Sequence, residues 1–289
     1  MQRRHFLKTG AALAAAPLAG AAKSVGAASS RQFAQLPTFR LGTLEVSRLI
    51  LGSNPFWGIS HKDDQKDAEM RRYYTDEVIA RILDEAADCG VTALTSPPDA
   101  RWINIWTRYR EAGGRLKIWI SQCHGGPEQM PQEIDRSVKA GAKAIFIQGV
   151  RVEEQFGAGH FDVLLSWVRR IQAAGLPAGL AAHWPEIHPE LERRGFPTDF
   201  YYQCCYNASK TSDYSAAERE LAMATIDRIK KPVVAYKILG AGRVPASEGF
   251  EQAFNRIKRK DGVCVGIFAY KAVDQIRQNA TFTQMLTPE

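Results

Sequence analysis

The segment Thr75–Thr95, with the sequence TDEVIARILDEAADCGVTALT, decides the fold because it holds one whole helix followed by one whole strand. Its first half repeats apolar side chains at steps of three and four residues, the spacing of one helix face: Val78, Ile79, Ile82, Leu83 and Ala86. Thr75 is a typical N-cap residue, and Gly90 is a typical helix stop. The run Val91–Thr95 has the length and composition of a buried strand. We therefore predict a helix that leads through a glycine turn into a strand.

The same alternation of short apolar runs and amphipathic segments extends along the chain. Eight runs have the composition of strands: Val46–Leu51, Val91–Thr95, Leu116–Gln122, Ala144–Gln148, Ala178–Ala182, Phe200–Cys205, Val233–Ile238 and Val263–Ile267. Several are apolar throughout, as expected for parallel strands buried on both faces. Helical periodicity lies between them, for example at Phe161–Ala174 and Ala216–Ile229. Eight such units predict an α/β fold, a single (β/α)8 TIM barrel over residues 38–289. Its functional site is then expected at the carboxyl ends of the strands.

A leader precedes the barrel. Paired Arg3 and Arg4 stand before Phe6-Leu7-Lys8 and an alanine-rich stretch from Ala11 to Ala22. Basic, apolar and small-residue segments in this order are typical of a twin-arginine signal peptide. We expect residues 1–28 to be this signal, residues 29–37 a lead-in, and the mature protein to lack a membrane anchor. The export machinery is then a partner, and the folded protein would work in the periplasm or another extracytoplasmic space.

Charge and cysteine content exclude several functional classes. The chain carries +7, but the signal holds four basic and no acidic residues, which leaves 34 basic and 31 acidic side chains, or +3. That balance gives no field for nucleic acid. Five cysteines, with no CxxC pair, fit neither a disulfide framework nor a structural zinc site, so we expect no metal. A metal site built from His124, His183 and an acid such as Asp99 or Glu186 is the alternative.

Four segments, in order, resemble the aldo/keto reductase family: Leu41–Gly52, Tyr202–Asn207, Val234–Gly240 and Asp274–Asn279. The resemblance implies a barrel whose floor is plugged by a small hairpin, and an NADP-dependent oxidoreductase domain. It also implies that Gln203 would bind a nicotinamide amide and that Tyr236 would stack on the nicotinamide ring.

The chain departs from the family where the family's catalytic Asp, Tyr, Lys and His stand. The family segment that carries the catalytic Asp and Tyr corresponds to Thr95–Ala100 in this chain. The family's lysine position falls near Gln122, and its histidine position falls near Gln148. We therefore expect a divergent member without this tetrad. Carbonyl reduction without a general acid would lose about 10²–10⁴ in rate. NADP is a doubtful cofactor on this view, although a nucleotide carried out by the folded protein remains an alternative.

Polar side chains follow the predicted strands and form a ring rich in amides, which suits a polyol or other carbohydrate-like ligand. The predicted catalytic residues are Lys237, His183 and His124. The predicted substrate-binding residues are Asn54, Trp57, Asp99, Gln122, Gln148, Gln203 and Asn207. Each also has a structural interpretation, for example as a loop residue or a packed side chain.

Lys237 is the candidate with the most specific sequence context, because the pattern places it inside an apolar strand. A lysine there can act as a base or form a Schiff base. Alternatively, its stem packs while its ammonium reaches the mouth and only binds substrate. His61 precedes the charged run Lys62–Asp67, which is typical of a solvated surface.

Three functions are open from the sequence. The first is a non-redox enzyme of the isomerase or lyase type, which acts on a small sugar-like or hydroxy-carbonyl substrate. The second is a nicotinamide-dependent oxidoreductase with a non-standard active site. The third is a catalytically silent barrel that binds a ligand.

Overall fold

The computed structural model describes residues 35–207, 210–213, 215–268 and 274–287. The predicted signal peptide lies outside the described residues, as does most of the lead-in. Within them the strands are Thr38–Leu41 (β1), Leu44–Ser47 (β2), Leu49–Gly52 (β3), Ala93–Ser96 (β4), Ile118–Cys123 (β5), Ala144–Ile147 (β6), Ala178–Ala182 (β7), Phe200–Cys204 (β8), Val233–Tyr236 (β9) and Gly262–Gly266 (β10). The helices are Asp64–Tyr73 (α1), Asp76–Asp88 (α2), Ala100–Glu111 (α3), Met130–Lys139 (α4), Gly149–Gly157 (α5), Phe161–Ala173 (α6), Ile187–Arg193 (α7), Ala216–Arg228 (α8), Ala246–Phe254 (α9) and Gln275–Leu286 (α10).

Strands β3 to β10 form a closed barrel in the order β10-β3-β4-β5-β6-β7-β8-β9. Each neighbouring pair is parallel, and the barrel closes where Val263 of β10 lies opposite Leu49 of β3. Helices separate consecutive barrel strands in the chain. The predicted single (β/α)8 barrel is confirmed, and its strands all present their carboxyl ends at one mouth.

The first predicted strand, Val46–Leu51, is wrong as a single element. It contains the end of β2 and most of β3, which are separated at Arg48. Side-chain hydrogen bonds at Ser47 and Arg48 account for the break. Arg48 Nε donates to the carbonyl of Asp261 at 2.7 Å, and Ser47 Oγ donates to the carbonyl of Leu49 at 2.6 Å. Strands β1 and β2 pair as an antiparallel hairpin, whose buried apolar side chains join the cluster inside the barrel.

The helix and strand predicted within Thr75–Thr95 form as expected. The Thr75 hydroxyl accepts a hydrogen bond from the backbone N–H of Val78 at 3.3 Å, which caps α2. Gly90 has a φ of +81°, the left-handed conformation that glycine adopts without strain. The buried face of α2 then packs toward the barrel, and β4 follows shortly after the glycine turn.

An aromatic cluster holds α3 against the barrel wall. The rings of Trp102 and Trp119 are fully buried, with centroids 6.0 Å apart, and Trp106 stacks on Trp102 at 5.8 Å. Trp119 Nε1 donates to the carbonyl of Ser96 at 2.9 Å, so its polar atom is satisfied. The cluster fixes the position of the chain just after the end of β4.

The cysteines are free thiols, and Cys89, Cys123, Cys204 and Cys205 are buried among core residues. Among the described residues, no helix has both the length and the apolar character that crossing a bilayer requires.

Candidate active site

A cavity of about 780 Å³ opens at the carboxyl ends of the barrel strands. Its floor and walls combine amides, imidazoles, a lysine and phenolic rings with aliphatic side chains. The polar and aromatic residues that line it include Asn54, His61, Thr95, Gln122, Gln148, His183, Tyr202, Tyr236 and Lys237. A mostly apolar cavity with a few convergent polar groups is the usual form of a small-molecule site.

His183 and Glu153 form a hydrogen-bonded pair at the cavity. His183 follows β7, and Glu153 lies on α5, the helix after β6. Glu153 Oε1 lies 3.0 Å from Nδ1 of His183 and accepts a further bond from the backbone N–H of His183 at 2.5 Å. Both side chains are nearly buried, with 15% and 11% of their surface exposed. The sequence analysis missed Glu153, because no local motif links a helix residue to a strand end 30 residues later.

The Glu153 carboxylate determines which ring nitrogen of His183 carries the proton. Burial acts to raise the pKa of Glu153, but hydrogen bonds from the ring and backbone of His183 and from the backbone of Trp184 outweigh burial and lower it. The ionised carboxylate therefore accepts the Nδ1–H bond and leaves Nε2 of His183 as the basic nitrogen. This is the arrangement in which a carboxylate orients a histidine for general-base catalysis.

Gly149 makes room for the His183 ring. A Cβ added at Gly149 would lie 3.0 Å from Nδ1 and 3.1 Å from Cε1 of His183. These distances are tighter than ordinary van der Waals contact. The glycine at the start of α5 therefore permits the close approach between the ring and the helix that carries Glu153.

Lys237 is not inside a strand, which corrects the sequence prediction. Strand β9 ends at Tyr236, and Lys237 follows with a φ of +57°. A left-handed conformation is uncommon for a residue with a side chain and is typical of functional or strained sites. Within the described part of the chain, its ammonium group has neither a hydrogen-bond nor an ion-pair partner. Lys237 is half-buried and lines the cavity.

His61 also lines the cavity, whereas the sequence favoured a solvated surface. The amide nitrogen of Asn54 lies 3.2 Å from Nε2 of His61, and because an amide N–H donates, Nε2 accepts. Burial lowers the pKa of His61 to about 4, and the positive charge of Lys237 acts in the same direction. The imidazole is therefore neutral at neutral pH, with its proton on Nδ1. The fold of the loop after β3, which no sequence pattern specifies, brings His61 to the site.

Three predicted substrate-binding residues, Asn54, Gln122 and Gln148, line the cavity. Asn207 is exposed in the segment after β8 and does not line it. Their roles stay predictions.

Four further predicted site residues lie elsewhere. Asp99 caps α3, where its carboxylate accepts from the backbone N–H of Trp102 at 2.8 Å. The ring of Trp57 packs beneath the guanidinium of Arg101, 5.0 Å from its centroid. The His124 side chain is 40% exposed and faces Glu133 at 3.8 Å. These three residues and Gln203 are not among the residues that line the cavity.

Of the two residues expected to hold a nicotinamide, one lines the cavity and the other does not. Tyr236 lines the cavity. Gln203 is fully buried: its amide nitrogen donates to the carbonyl of Cys204 at 3.2 Å, and its Oε1 has no partner. The role of the pair in nicotinamide binding stays a prediction, and in this arrangement Gln203 is not among the residues that line the cavity. Tyr270 and Lys271, polar residues near the last strand, lie outside the described residues.

The described residues contain no group of three or more His, Cys, Asp or Glu side chains that could hold a metal ion. His124 and His183 in particular do not share the cavity, since only His183 lines it.

Comparisons with known proteins agree with the leader and the fold. Residues 1–20 match the family model of the twin-arginine translocation pathway signal sequence, which indicates export across the cytoplasmic membrane by that machinery. No curated protein matches the chain at a significant level.

Two solved structures from Pseudomonas aeruginosa, both assigned as aldo-keto reductases, share the fold. One has a TM-score of 0.62 at 16% identity and covers 90% of this chain and 99% of its own. The other has a TM-score of 0.63 at 17% identity and covers 90% and 100%. A truncated 3-deoxy-D-arabino-heptulosonate 7-phosphate synthase from Thermotoga maritima has a TM-score of 0.52 at 11% identity, with 88% and 90% covered. The chain therefore has an aldo-keto reductase-like barrel.

Proposed function

We propose that this chain is an exported enzyme that moves a proton at the carbon next to a carbonyl group in a small hydroxy-carbonyl substrate. The reaction is of the isomerase or lyase type and needs no redox cofactor. The observation that carries the proposal is the buried Glu153–His183 pair at the cavity, with 3.0 Å between Oε1 and Nδ1. The twin-arginine signal supports a periplasmic place of work, reached after folding, with residues 1–28 removed on export.

In the proposed reaction His183 is the catalytic base. Its Nε2 accepts the proton from the substrate carbon, the C–H electron pair forms the new carbon–carbon double bond, and the carbonyl oxygen becomes an enolate. The amide N–H groups of Gln122 and Gln148, which line the cavity, can donate to that oxygen. A proton then passes from the hydroxyl group on the deprotonated carbon to the enolate oxygen, and return of the first proton to the former carbonyl carbon gives the isomer. Glu153 acts through His183 as a positioning residue, since it holds the tautomer and stabilises the imidazolium.

Solvent isotope exchange tests this proposal with a panel of small carbonyl compounds. The full chain is incubated in D₂O with small aldoses, ketoses and hydroxy-aldehydes, and deuterium in the substrate carbon is followed by NMR. We expect exchange with at least one compound, and a loss of about 10²–10⁴ in its rate in His183→Gln. Glu153→Gln should also lose most of the rate, while its pH profile changes.

The matched control is His160→Gln, because His160 is exposed and lies outside the cavity. It should keep the exchange rate of the original chain. Equal rates in His183→Gln and His160→Gln would remove His183 from the mechanism.

Lys237 has two roles that a pair of variants separates. As a Schiff-base residue it would be trapped by borohydride with a carbonyl compound, and Lys237→Arg would be inactive, because arginine cannot form the imine. As a charged substrate-binding residue it would not be trapped, and Lys237→Arg would keep most of kcat while Lys237→Met weakens binding. Its position at the mouth, beyond the end of β9, favours the second role.

A nicotinamide-dependent oxidoreductase is the second candidate. The aldo-keto reductase-like fold and the placement of Tyr236 at the cavity favour it. The burial of Gln203 weighs against it, so we derive no hydride-transfer step.

A further inference from the structure

The lining of the cavity is rich in basic side chains, and its cations are lysines. His61, Lys62, Lys66, His183 and Lys237 line it, and among the described residues that line it there is neither an aspartate nor a glutamate. Glu153 is not among the lining residues, and its carboxylate is hydrogen-bonded to His183. The cation of Lys66 is offset by an ion pair of 2.8 Å to Glu69. Lys237 and Lys62 have no such partner in the part of the chain that the structure describes.

Lys237 and His61 border the same part of the mouth. His61 lies in the loop after β3, Lys237 follows β9, and these two strands flank β10 in the barrel. Arg243 connects their loops, because its Nη1 donates to the carbonyls of His61 and Gly240, each at 3.3 Å. The ring of Tyr236, next to Lys237, contacts the ring of His183 edge-on at 5.8 Å.

Apolar side chains surround this positive region. Ile238, Leu239, Val244 and Phe268 line the same cavity. An ion bound beside such walls is screened less by water, so an attraction between opposite charges is stronger there than at an open surface. A neutral polyol gains only a hydrogen bond from an unpaired ammonium, whereas a carboxylate or phosphate oxygen gains a stronger, charge-assisted hydrogen bond.

We propose that the substrate carries an anionic group, a carboxylate or a phosphate monoester, which binds between Lys237 and the Nδ1–H of His61 and directs the carbonyl end toward His183. The orientation of the carbonyl end toward His183 rests on the proposed function, whereas the anion site itself does not. Lys237 contributes its charge, and His61 contributes a hydrogen-bond donor whose tautomer is set by Asn54.

The experiment is an NMR titration of the full chain labelled at its histidine rings, at constant ionic strength. The probes are inorganic phosphate, glycolate and, as the neutral compound, glycerol. His61→Gln assigns the His61 signals. We expect saturable shifts of the His61 ring with phosphate, with glycolate or with both, and no saturable shift with glycerol. An anion next to His61 also raises its pKa, because an opposite charge favours the protonated ring.

Three variants make the result specific. Lys237→Met should weaken anion binding about 10- to 100-fold, the range of one charge-assisted hydrogen bond. Lys237→Arg should keep it within a few-fold. The matched control Lys230→Met removes an equal charge from an exposed position before β9, at the opposite end of that strand, and should leave binding unchanged.

The outcomes separate the two proposals. Saturable binding of phosphate alone would identify the anionic group as a phosphate, and saturable binding of glycolate alone would identify it as a carboxylate. Saturation by neither anion, equal binding in Lys237→Met, or equal binding of glycerol overturns the anion site. So does displacement of the anion by micromolar NADP, because the site would then belong to a nucleotide. Specific anion binding together with no isotope exchange would refute the enzymatic proposal and leave the anion site standing.

Discussion

A drop in pH from about 7.5 to about 5.0 should destabilise this protein through one buried histidine. His188 on α7 is fully buried, its Nε2 lies 3.0 Å from the carbonyl oxygen of Tyr202, and its ring stacks on Tyr201 with centroids 4.4 Å apart. Because a carbonyl only accepts, Nε2 carries the proton, and the buried Nδ1 has no partner. Burial lowers the pKa of His188 to about 4. Protonation would place a charge where neither water nor a hydrogen-bonded carboxylate compensates it.

The sign and size of the effect follow from linkage. An unfolded histidine has a pKa of about 6.5, so between this pKa and the folded value of about 4 the unfolded chain binds more protons than the folded one. The stability that neutral His188 permits is complete above about pH 7 and is lost as the pH falls through this window. The loss for this one residue is about 2 kcal/mol at about pH 5.0 and approaches roughly 3 kcal/mol below about pH 4.

Denaturant unfolding at both pH values measures this loss. His188→Gln keeps a side-chain N–H for the Tyr202 carbonyl but does not titrate, so it should lose about 2 kcal/mol less than the original chain between the two pH values. His160→Gln, at an exposed histidine, should retain the full loss. Identical pH dependence in the original chain and in His188→Gln would refute the assignment.

Three further predictions concern the site and the leader. Gly149→Ala should displace the His183 ring, since its methyl would lie 3.0 Å from Nδ1, and should lower the isotope-exchange rate at least about tenfold while thermal unfolding shows a folded protein. Lysines at Arg3 and Arg4 should leave the precursor folded and uncleaved in the cytoplasm, which cell fractionation measures, and normal cleavage near Ala27 would contradict this. NADPH should bind weakly or not at all in a fluorescence titration, and micromolar affinity with turnover of an aldehyde would instead favour the oxidoreductase.

The barrel could be predicted because its signals are local and repeated. A strand buried on both faces needs a short apolar run, and a helix packed on it needs an apolar face, so each unit is visible in the sequence. The ends of the elements are less visible. The run Val46–Leu51 has the length of one strand, but Ser47 and Arg48 interrupt its apolar character, and the Arg48 hydrogen bond that separates the two strands goes to Asp261, far along the chain. Lys237 lies outside its predicted strand because β9 ends one residue earlier.

The site could be predicted only in part, for a physical reason. Residues at strand ends, such as Gln122, Gln148 and His183, are brought to the mouth by the barrel itself. Glu153 reaches His183 from a helix whose own pattern is that of an ordinary amphipathic segment. His61 depends on the path of a loop. Contacts of this kind are set by tertiary structure, and one sequence contains no periodic signal for them.

The loop that carries His61 is held by specific bonds. Asp67 is buried on α1, and its carboxylate accepts from the backbone N–H of Ser60 at 2.7 Å and pairs with Lys210 at 2.6 Å. Burial acts to raise the pKa of Asp67, but the bonds from Lys210 and Ser60 outweigh it and lower the pKa to about 2. Fixing each loop residue costs about 1–2 kcal/mol in backbone entropy. These bonds offset part of that cost and hold His61 at the mouth of the cavity, where the proposed anion site requires it.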